Sequence, residues 1–255
     1  MSETLFGSFV WYDQMSDDLT GSERFYAKAV GWTLAPNTMN DQRYTLLKAG
    51  EAMIGGLMPI PEHASGVKPM WMGYVAVDDV PAFADKVEAA GGAIHRGPTE
   101  IPNVGTFAIA GDPDGAGFLL FKGMSSEAPP YDPRGLGHVG WRELNAGDGA
   151  KAFAFYAGLF GWTKTGAMPI GPSNEYQLFA TKAGQEGAVF TKDAETPHPF
   201  WRYYFNVEAI DAAIERVKSA GGAVTNGPLA VPGDRWIAHA LDPQGAAFAL
   251  VAPKR

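Results

Sequence analysis

The sequence has no cysteine among its 255 residues. Disulfide bonds, thiolate catalysis and zinc sites built on cysteine are therefore excluded. Basic residues are in the minority: 20 Lys and Arg stand against 28 Asp and Glu, which gives a formal net charge of −8. Proteins that contact nucleic-acid phosphates need clustered Lys and Arg, so we expect no nucleic-acid partner.

Long apolar runs are missing as well. No stretch approaches the ~20 apolar residues that a membrane span needs, and residues 1–7 show neither the basic nor the apolar part of a signal peptide. We therefore expect no membrane association and a cytoplasmic location. The composition, 46% hydrophobic and 19% charged, is that of an ordinary globular protein with enough apolar residues to form a core.

What the chain does contain is a repeat of itself at an offset of 130 residues (141 − 11 = 130). Trp11, which precedes Phe25-Tyr26 and Gly31-Trp32, recurs as Trp141, which precedes Phe155-Tyr156 and Gly161-Trp162. Further pairs at the same offset are Trp71 and Trp201, Ala90–Ala93 and Ala220–Ala223, and Asp112–Gly115 and Asp242–Gly245. Such a long period indicates domain duplication and not a solenoid. Asp13 and Glu143 occupy equivalent places in the two copies.

The local pattern predicts the elements of each copy. A β-type run at 9–13 precedes a helix whose start is indicated by Thr20 as N-cap and Glu23 three residues later. Two strands are predicted to follow, around 43–48 and 52–58. The order begins again after a connection rich in proline and glycine, so the first half contains two modules of the βαβββ kind.

The second module begins with a predicted strand at 70–77 and a helix at 79–90. Asp112-Pro113-Asp114-Gly115 then predicts a turn before the last apolar strand. Residues 123–134 contain Pro129, Pro130 and Pro133 and are interpreted as a linker. Two domains are therefore predicted, at 1–122 and 135–255.

Taken together, these motifs resemble a known superfamily. They are Phe-Tyr followed by Gly-Trp, the Ala-Gly-Gly helix ends and Asp-Pro-Asp-Gly before the last strand. In this order, twice, they resemble the vicinal oxygen chelate superfamily of glyoxalases, bleomycin resistance proteins and extradiol dioxygenases, and within it a two-domain glyoxalase-like subgroup. The resemblance implies an α+β fold of two tandem domains, each with two βαβββ modules that form a curved, cup-shaped mixed sheet.

The resemblance also implies a divalent metal, held by four side chains in each domain. The corresponding positions are Asp13, Met72, Leu119 and residues 54–57 in the first domain, and Glu143, Arg202, Ala249 and residues 188–190 in the second. One possible ligand per domain remains, whereas catalytic zinc or iron normally keeps about three protein ligands. We therefore expect no metal and no other cofactor.

Other side chains are candidates for contact with a small molecule. Alternation along the strands places Trp11, Asp13, Met72 and Tyr74 in the first cup. It places Trp141, Glu143, Arg202, Tyr204 and Asn206 in the second, with Trp236 and His239 on a strand beside it. Glu143 and Arg202 would form an ion pair, which either orients a polar or anionic ligand or serves only as a structural crosslink.

Two functions are consistent with these residues. The first is a metal-independent protein that binds a small organic molecule in an aromatic cup. The second is a glyoxalase-like lyase, isomerase or hydroxylase that uses Glu143 or His239 as acid or base and Arg202 to stabilise an oxyanion. The sequence leaves open which small molecule is bound, and both a monomer and a homodimer are compatible with it.

Overall fold

A computed structural model describes residues 5–39, 42–64, 66–125, 131–172 and 174–255, with only the backbone at Met39 and His63. The elements of the first half are β1 (Phe9–Ser16), α1 (Leu19–Ala29), β2 (Thr33–Met39), β3 (Gln42–Ala49), β4 (Ala52–Pro59), β5 (Met70–Ala76), α2 (Val80–Ala89), β6 (Ala93–Ile101), β7 (Gly105–Gly111) and β8 (Gly117–Gly123). Those of the second half are β9 (Val139–Ala146), α3 (Gly149–Phe160), β10 (Thr163–Gly171), β11 (Asn174–Ala180), β12 (Glu186–Thr191), β13 (Phe200–Asn206), α4 (Ile210–Ser219), β14 (Ala223–Val231), β15 (Arg235–Leu241) and β16 (Ala247–Ala252). The predicted order of four βαβββ modules is confirmed.

One strand of the first module, β2, was not assigned from the sequence. It spans Thr33–Met39 and contains Pro36 among mostly exposed residues, so it has no clear apolar alternation. It lies at the edge of its sheet, where proline is tolerated because one side of the strand needs no ladder hydrogen bonds. The predicted strands at 43–48 and 52–58 are present as β3 and β4.

The strands form two eight-stranded sheets with the same order. The first sheet is ordered β2-β3-β4-β1-β5-β8-β7-β6, and the second is ordered β10-β11-β12-β9-β13-β16-β15-β14. The first and last strands of each module pair in parallel, as β1 does with β4 and β13 with β16. The second, third and fourth strands of each module pair as antiparallel hairpins. The predicted mixed sheets of an α+β fold are therefore present in both halves.

The start of α1 differs from the prediction. Asp18, not Thr20, is the N-cap, and its carboxylate accepts a hydrogen bond from the Gly21 amide. Glu23 instead accepts hydrogen bonds from Arg43 and Thr45 on β3, so the apparent capping box serves tertiary contacts. The spacing of Thr20 and Glu23 was correct for a cap, but an acidic residue two positions earlier was the better acceptor.

Contacts divide the chain into two compact units, each of which combines parts of both halves. In their described residues, the first compact unit comprises Met1–Trp11, Met72–Ala128 and Arg142–Trp201, and the second comprises Tyr12–Trp71, Pro129–Trp141 and Arg202–Arg255. The domain boundaries at 122 and 135 stay a prediction, and part of the predicted linker, 126–130, lies outside the described residues. None of the described helices has the length and apolar character needed to cross a membrane.

Aromatic side chains form much of the core of each unit. In the first, the Trp162 ring stacks on Phe179 with centroids 4.2 Å apart and meets Trp201 edge-on. In the second, Trp32 packs against Phe205 at 4.7 Å. These tryptophans are buried, and their large apolar area makes them strong contributors to the hydrophobic stabilisation of each unit.

The Asp-Pro-x-Gly turns have a second role that the sequence did not reveal. The Asp112 side chain is buried, at 3% exposure. Its Oδ1 accepts hydrogen bonds from the turn amides of Asp114 and Ala116. Its Oδ2 accepts a hydrogen bond from the Tyr156 hydroxyl at 3.3 Å. The Trp201 indole donates to the same hydroxyl at 3.1 Å. Burial raises the pKa of the Asp112 carboxyl. The turn therefore anchors the first compact unit through a buried carboxylate.

The equivalent turn anchors the second compact unit in the same way. Asp242 caps the amides of Gln244 and Ala246 and accepts from the Tyr26 hydroxyl at 3.0 Å, to which Trp71 donates at 2.7 Å. The Gln14 amide adds a further hydrogen bond to Asp242 at 3.2 Å. Burial again raises the pKa of the carboxyl. In each unit the aspartate comes from one half of the chain and the Tyr–Trp pair from the other.

Candidate functional site

Asp13 and Glu143 take equivalent positions in the structure. Each lies five residues before the N-cap aspartate of the following helix, α1 or α3. On the neighbouring parallel strand, Asp13 faces Gly56 and Glu143 faces Ala188. Both carboxylates are buried, at 3% and 5% exposure. The first module of each half therefore offers one carboxylate beside a residue that carries no polar side chain.

Tyrosines take the same position in the second module of each half. Tyr74 lies five residues before the N-cap of α2 and faces Leu119, and Tyr204 lies five residues before the N-cap of α4 and faces Ala249. Counting along the sequence had placed Met72 and Arg202 there. They stand two residues earlier on their strands, on the same face by alternation.

These residues do not fit a divalent metal. The equivalent positions provide one carboxylate and one phenol in each half, together with glycine, alanine or leucine. Among the described residues, no three His, Cys, Asp or Glu side chains come together in a group that could hold a metal ion. A catalytic zinc or iron needs about three such ligands, so we derive no chemistry through a metal.

Each carboxylate instead accepts a hydrogen bond from a tyrosine that the sequence analysis missed. The Tyr44 hydroxyl donates to Asp13 at 2.6 Å, and the Tyr176 hydroxyl donates to Glu143 at 2.8 Å. Gly56 makes room for Tyr44, because a Cβ atom there would lie 2.0 Å from the phenol ring. The available signal was that both halves carry a tyrosine near the start of their third strand, at an offset of 132 (176 − 44 = 132).

The second compact unit brings Tyr204 and His239 together. Tyr204, Ala249 and His239 form one row across β13, β16 and β15. The small side chain of Ala249 allows the Tyr204 hydroxyl to reach across the central strand to Nε2 of His239, at 2.9 Å. Burial, and secondarily the positive charge of Arg202, lowers the pKa of His239 to about 4. The imidazole is therefore neutral at pH 7.

Apart from Arg202, the described neighbours of this pair are mainly apolar. Tyr204, Ala249 and Val251 form a buried cluster against which the partly buried Trp141 and Ile237 pack. We refer to Trp141, Arg202, Tyr204, Ile237 and His239 as the Tyr–His face. It unites four of the predicted site residues: Trp141, Arg202, Tyr204 and His239.

Two further predicted residues of the second half lie beside the Tyr–His face. Asn206 is 2% exposed, and both ends of its amide are engaged: Nδ2 donates to the Pro133 carbonyl at 3.0 Å, and Oδ1 accepts from Arg235 at 2.9 Å. Trp236 lies on the opposite face of β15 from Ile237 and His239. The Arg255 guanidinium lies over its ring, 5.1 Å from the ring centroid. The structure thus does not bring Trp236 into the Tyr–His face.

The corresponding row in the first half has different chemistry. It consists of Tyr74, Leu119 and Ile109, and lies in the first compact unit. Leu119 stands where the second half has Ala249, and Ile109 stands where it has His239. Tyr74 packs edge-on against Phe121 at 5.8 Å, and Met72 is buried on the same strand.

Some predicted contacts stay predictions. Glu143 belongs to the first compact unit and Arg202 to the second, so their ion pair stays a prediction. Trp11 is partly buried on β1, two residues before Asp13. A separate cavity of about 650 Å³ lies between α3 and the strands β10–β12 of the first unit, and no predicted site residue lines it.

Comparison with known proteins identifies relatives that match nearly the whole chain. A protein of Mycobacterium tuberculosis named "Putative glyoxylase CFP32" is 28% identical over 99% of this chain and 97% of its own length. The anthracycline biosynthesis protein DnrV of Streptomyces peucetius is 30% identical over 96% of this chain and 93% of its own length. Among solved structures, the Mn(II)-bound glyoxalase of Novosphingobium aromaticivorans has a TM-score of 0.64 at 16% identity, and the match covers 97% of this chain and 82% of that one; at that identity it shows the fold alone.

The family comparison agrees with the duplication seen in the sequence. The model of the Glyoxalase/Bleomycin resistance protein/Dioxygenase superfamily matches this chain twice, at residues 8–120 and 135–250. Each match covers two consecutive βαβββ modules. The chain therefore belongs to the Glyoxalase/Bleomycin resistance protein/Dioxygenase superfamily, with one copy of the family domain in each half.

Proposed function

We propose that this protein binds a small aromatic molecule at the Tyr–His face, without the divalent metal used by other members of the superfamily. The observation that carries the proposal is the Tyr204–His239 hydrogen bond, 2.9 Å long, in an otherwise apolar cluster. A few polar groups placed among apolar and aromatic side chains are typical of a small-molecule site. The same row of the first half, Tyr74, Leu119 and Ile109, has no such polar pair.

The state of His239 supports binding over proton transfer at neutral pH. With a pKa of about 4, its imidazole carries one proton at pH 7 and is a weak base. Nε2 is engaged by Tyr204, whereas Nδ1 makes no hydrogen bond with any described residue. Nδ1 can therefore donate to or accept from a ligand, depending on the direction of the Tyr204 hydrogen bond.

A second function, a glyoxalase-like lyase, isomerase or hydroxylase, is favoured by the names of the relatives, which include a glyoxylase and biosynthesis proteins. Glu143, held by the Tyr176 hydroxyl, would then be the acid or base in preference to His239. The relatives named for anthracycline biosynthesis also suggest the ligand class. Polycyclic hydroxyquinones combine a flat aromatic surface for Trp141 with oxygen atoms for His239.

The test uses the purified protein and 1,4-dihydroxyanthraquinone, whose visible absorbance reports binding independently of tryptophan. Elemental analysis should find no stoichiometric zinc, nickel, iron or manganese. The His239→Ile variant, which introduces the residue of the first half, should weaken binding by about tenfold, the equivalent of one lost hydrogen bond and its desolvation.

Trp141→Phe and its counterpart Trp11→Phe form a matched pair. Only the change at Trp141 should weaken binding, because Trp11 belongs to the first compact unit and is not part of the Tyr–His face. Stoichiometric metal would overturn the metal-free proposal. Equal affinity in wild type and His239→Ile would show that the Tyr–His face is not the binding site, and turnover of the methylglyoxal–glutathione adduct that is lost in Glu143→Ala would favour the enzyme.

A further inference from the structure

Two arginines of the second compact unit lie close to each other without a carboxylate. Arg134 belongs to the segment before β9, and Arg235 begins β15. In the described part of the chain, no ion pair joins either guanidinium to Asp or Glu. Both arginines lie around Asn206, which binds the Arg235 guanidinium and the carbonyl of Pro133, the residue before Arg134. Burial, and secondarily the positive charge of Arg134, lowers the pKa of Arg235. Like charges held together are unfavourable unless an anion is shared between them.

Asn206 fixes the position of Arg235. Its Oδ1 accepts from Nη2 of Arg235, and its Nδ2 donates to the Pro133 carbonyl. The backbone of Asn206 is held as well, since its carbonyl accepts from Gly137 and its amide donates to His138. A guanidinium held by such a network is oriented before any ligand arrives.

One donor of Arg235 has no protein partner. Its Nε is buried and makes no hydrogen bond to any described residue. An unsatisfied buried donor costs about 1–3 kcal/mol, and more when it is charged, so native proteins rarely retain one without an additional partner. Nε and an Nη of one guanidinium form the fork that binds a carboxylate through two parallel hydrogen bonds.

The location of Arg235 connects it to the Tyr–His face. On β15, Arg235, Ile237 and His239 share one face by alternation. On β13, Asn206 is two residues beyond Tyr204, and both Asn206 and Ile237 stand opposite Val251. Two residues of a strand span about 7 Å. Asn206, which binds Arg235, is two residues from Tyr204, and Arg235 itself is four residues from His239. The guanidinium therefore lies roughly 7–13 Å from the imidazole, a distance that a tricyclic aromatic molecule can span.

We propose that Arg235, oriented by Asn206 and assisted by Arg134, is the anion-binding end of the site, and that the natural ligand is an aromatic acid whose carboxylate it binds. This inference rests on the proposed function, in which the Tyr–His face binds the aromatic part. Asn206 then acts as a positioning residue, because its amide is occupied by Pro133 and Arg235. The end of the predicted linker thus supplies Pro133 and Arg134 to the site.

The experiment compares two forms of one probe, 1,4-dihydroxyanthraquinone-2-carboxylate and the corresponding carboxamide. Wild type should bind the carboxylate at least about tenfold more tightly than the amide, since charge-assisted bidentate hydrogen bonds are roughly twice as strong as neutral ones. Arg235→Met should remove this preference, because it should lower the affinity for the carboxylate far more than the affinity for the amide. Arg235→Lys should restore only part of it, because an ammonium lacks the planar fork.

Arg255→Met is the matched control. Arg255 lies over Trp236, on the other face of β15, and pairs with Asp211, so its loss should leave the carboxylate preference intact. If both probes bind with equal affinity, or if Arg235→Met and Arg255→Met reduce the preference equally, the anion site is refuted while the proposed function stands. If neither probe binds, the proposed function fails and this inference fails with it.

Discussion

Replacing His239 by glutamine should remove part of the acid sensitivity of this protein. The pKa of His239 is lowered from 6.5 to about 4, mainly by burial. Between these two values the unfolded chain binds a proton that the folded protein does not. The free energy of unfolding therefore rises with pH through this window. The contribution of the neutral His239 is fully present above pH 6.5 and is lost as the pH falls towards 4. Glutamine does not titrate and can still form a hydrogen bond with Tyr204.

The magnitude follows from the shift. Each pH unit within the window contributes up to about 1.4 kcal/mol, so the change from 6.5 to about 4 amounts to about 3 kcal/mol. Wild type should thus lose about 3 kcal/mol more than His239→Gln when the pH is lowered from 7 to 4. A domain's total stability is of the order of 5–15 kcal/mol, and the difference should be easy to measure.

The assay is urea unfolding followed by tryptophan fluorescence at pH 7, 6, 5 and 4. All other titrating groups, including His138, whose pKa is also lowered by burial, are common to both proteins and cancel in the comparison. An NMR titration of the His239 ring provides a direct check. Identical loss of stability in the two proteins, or a ring that titrates near 6.5, would refute the buried neutral pair.

Further predictions concern stability and are measured by the same urea unfolding at pH 7. Asp112→Ala should lower the free energy of unfolding by about 2–3 kcal/mol, because two turn amides and the Tyr156 hydroxyl lose their hydrogen-bond acceptor. Asp242→Ala should lower it by about 1 kcal/mol more, because Asp242 also accepts a hydrogen bond from Gln14. Equal losses in the two variants would contradict this network. Gly56→Ala should destabilise by about 1–3 kcal/mol, since the added methyl group would overlap the Tyr44 ring. Gly97→Ala is the control, because no atom lies within 4 Å of the added Cβ atom. It should change the free energy of unfolding by less than about 0.5 kcal/mol. A similar loss of stability at both positions would argue against the tight contact at Gly56.

Several features were accessible from the sequence because they are local or periodic. The offset of 130 residues identified the duplication, and the order of Phe-Tyr, Gly-Trp and Asp-Pro-x-Gly was sufficient to recognise the superfamily. Alternation along β13 predicted that Arg202 and Tyr204 share one face. At the positions held by glycine, alanine and leucine, residue identity alone excluded metal coordination by the side chain, since these side chains have no donor atom.

Other features depended on which strands become neighbours. Tyr44 and Tyr176 bind the carboxylates of Asp13 and Glu143, yet more than thirty residues separate Tyr176 from Glu143 in the chain, and no local pattern relates them. The hydrogen bond between Tyr204 and His239 depends on the small side chain of Ala249 between them. In the other half the larger Leu119 fills that place. Sequence spacing cannot reveal such a row.

The sequence by itself thus determined the duplication, the module order and the chemical character of each half. Only the tertiary structure decided which side chains meet: Asp112 and Asp242 became buried anchors between parts of different halves, and Arg235 was held by Asn206 beside the Tyr–His face. The physical reason is that secondary structure follows from periodicity within a few residues, whereas a site is assembled by strand order and register across the whole chain.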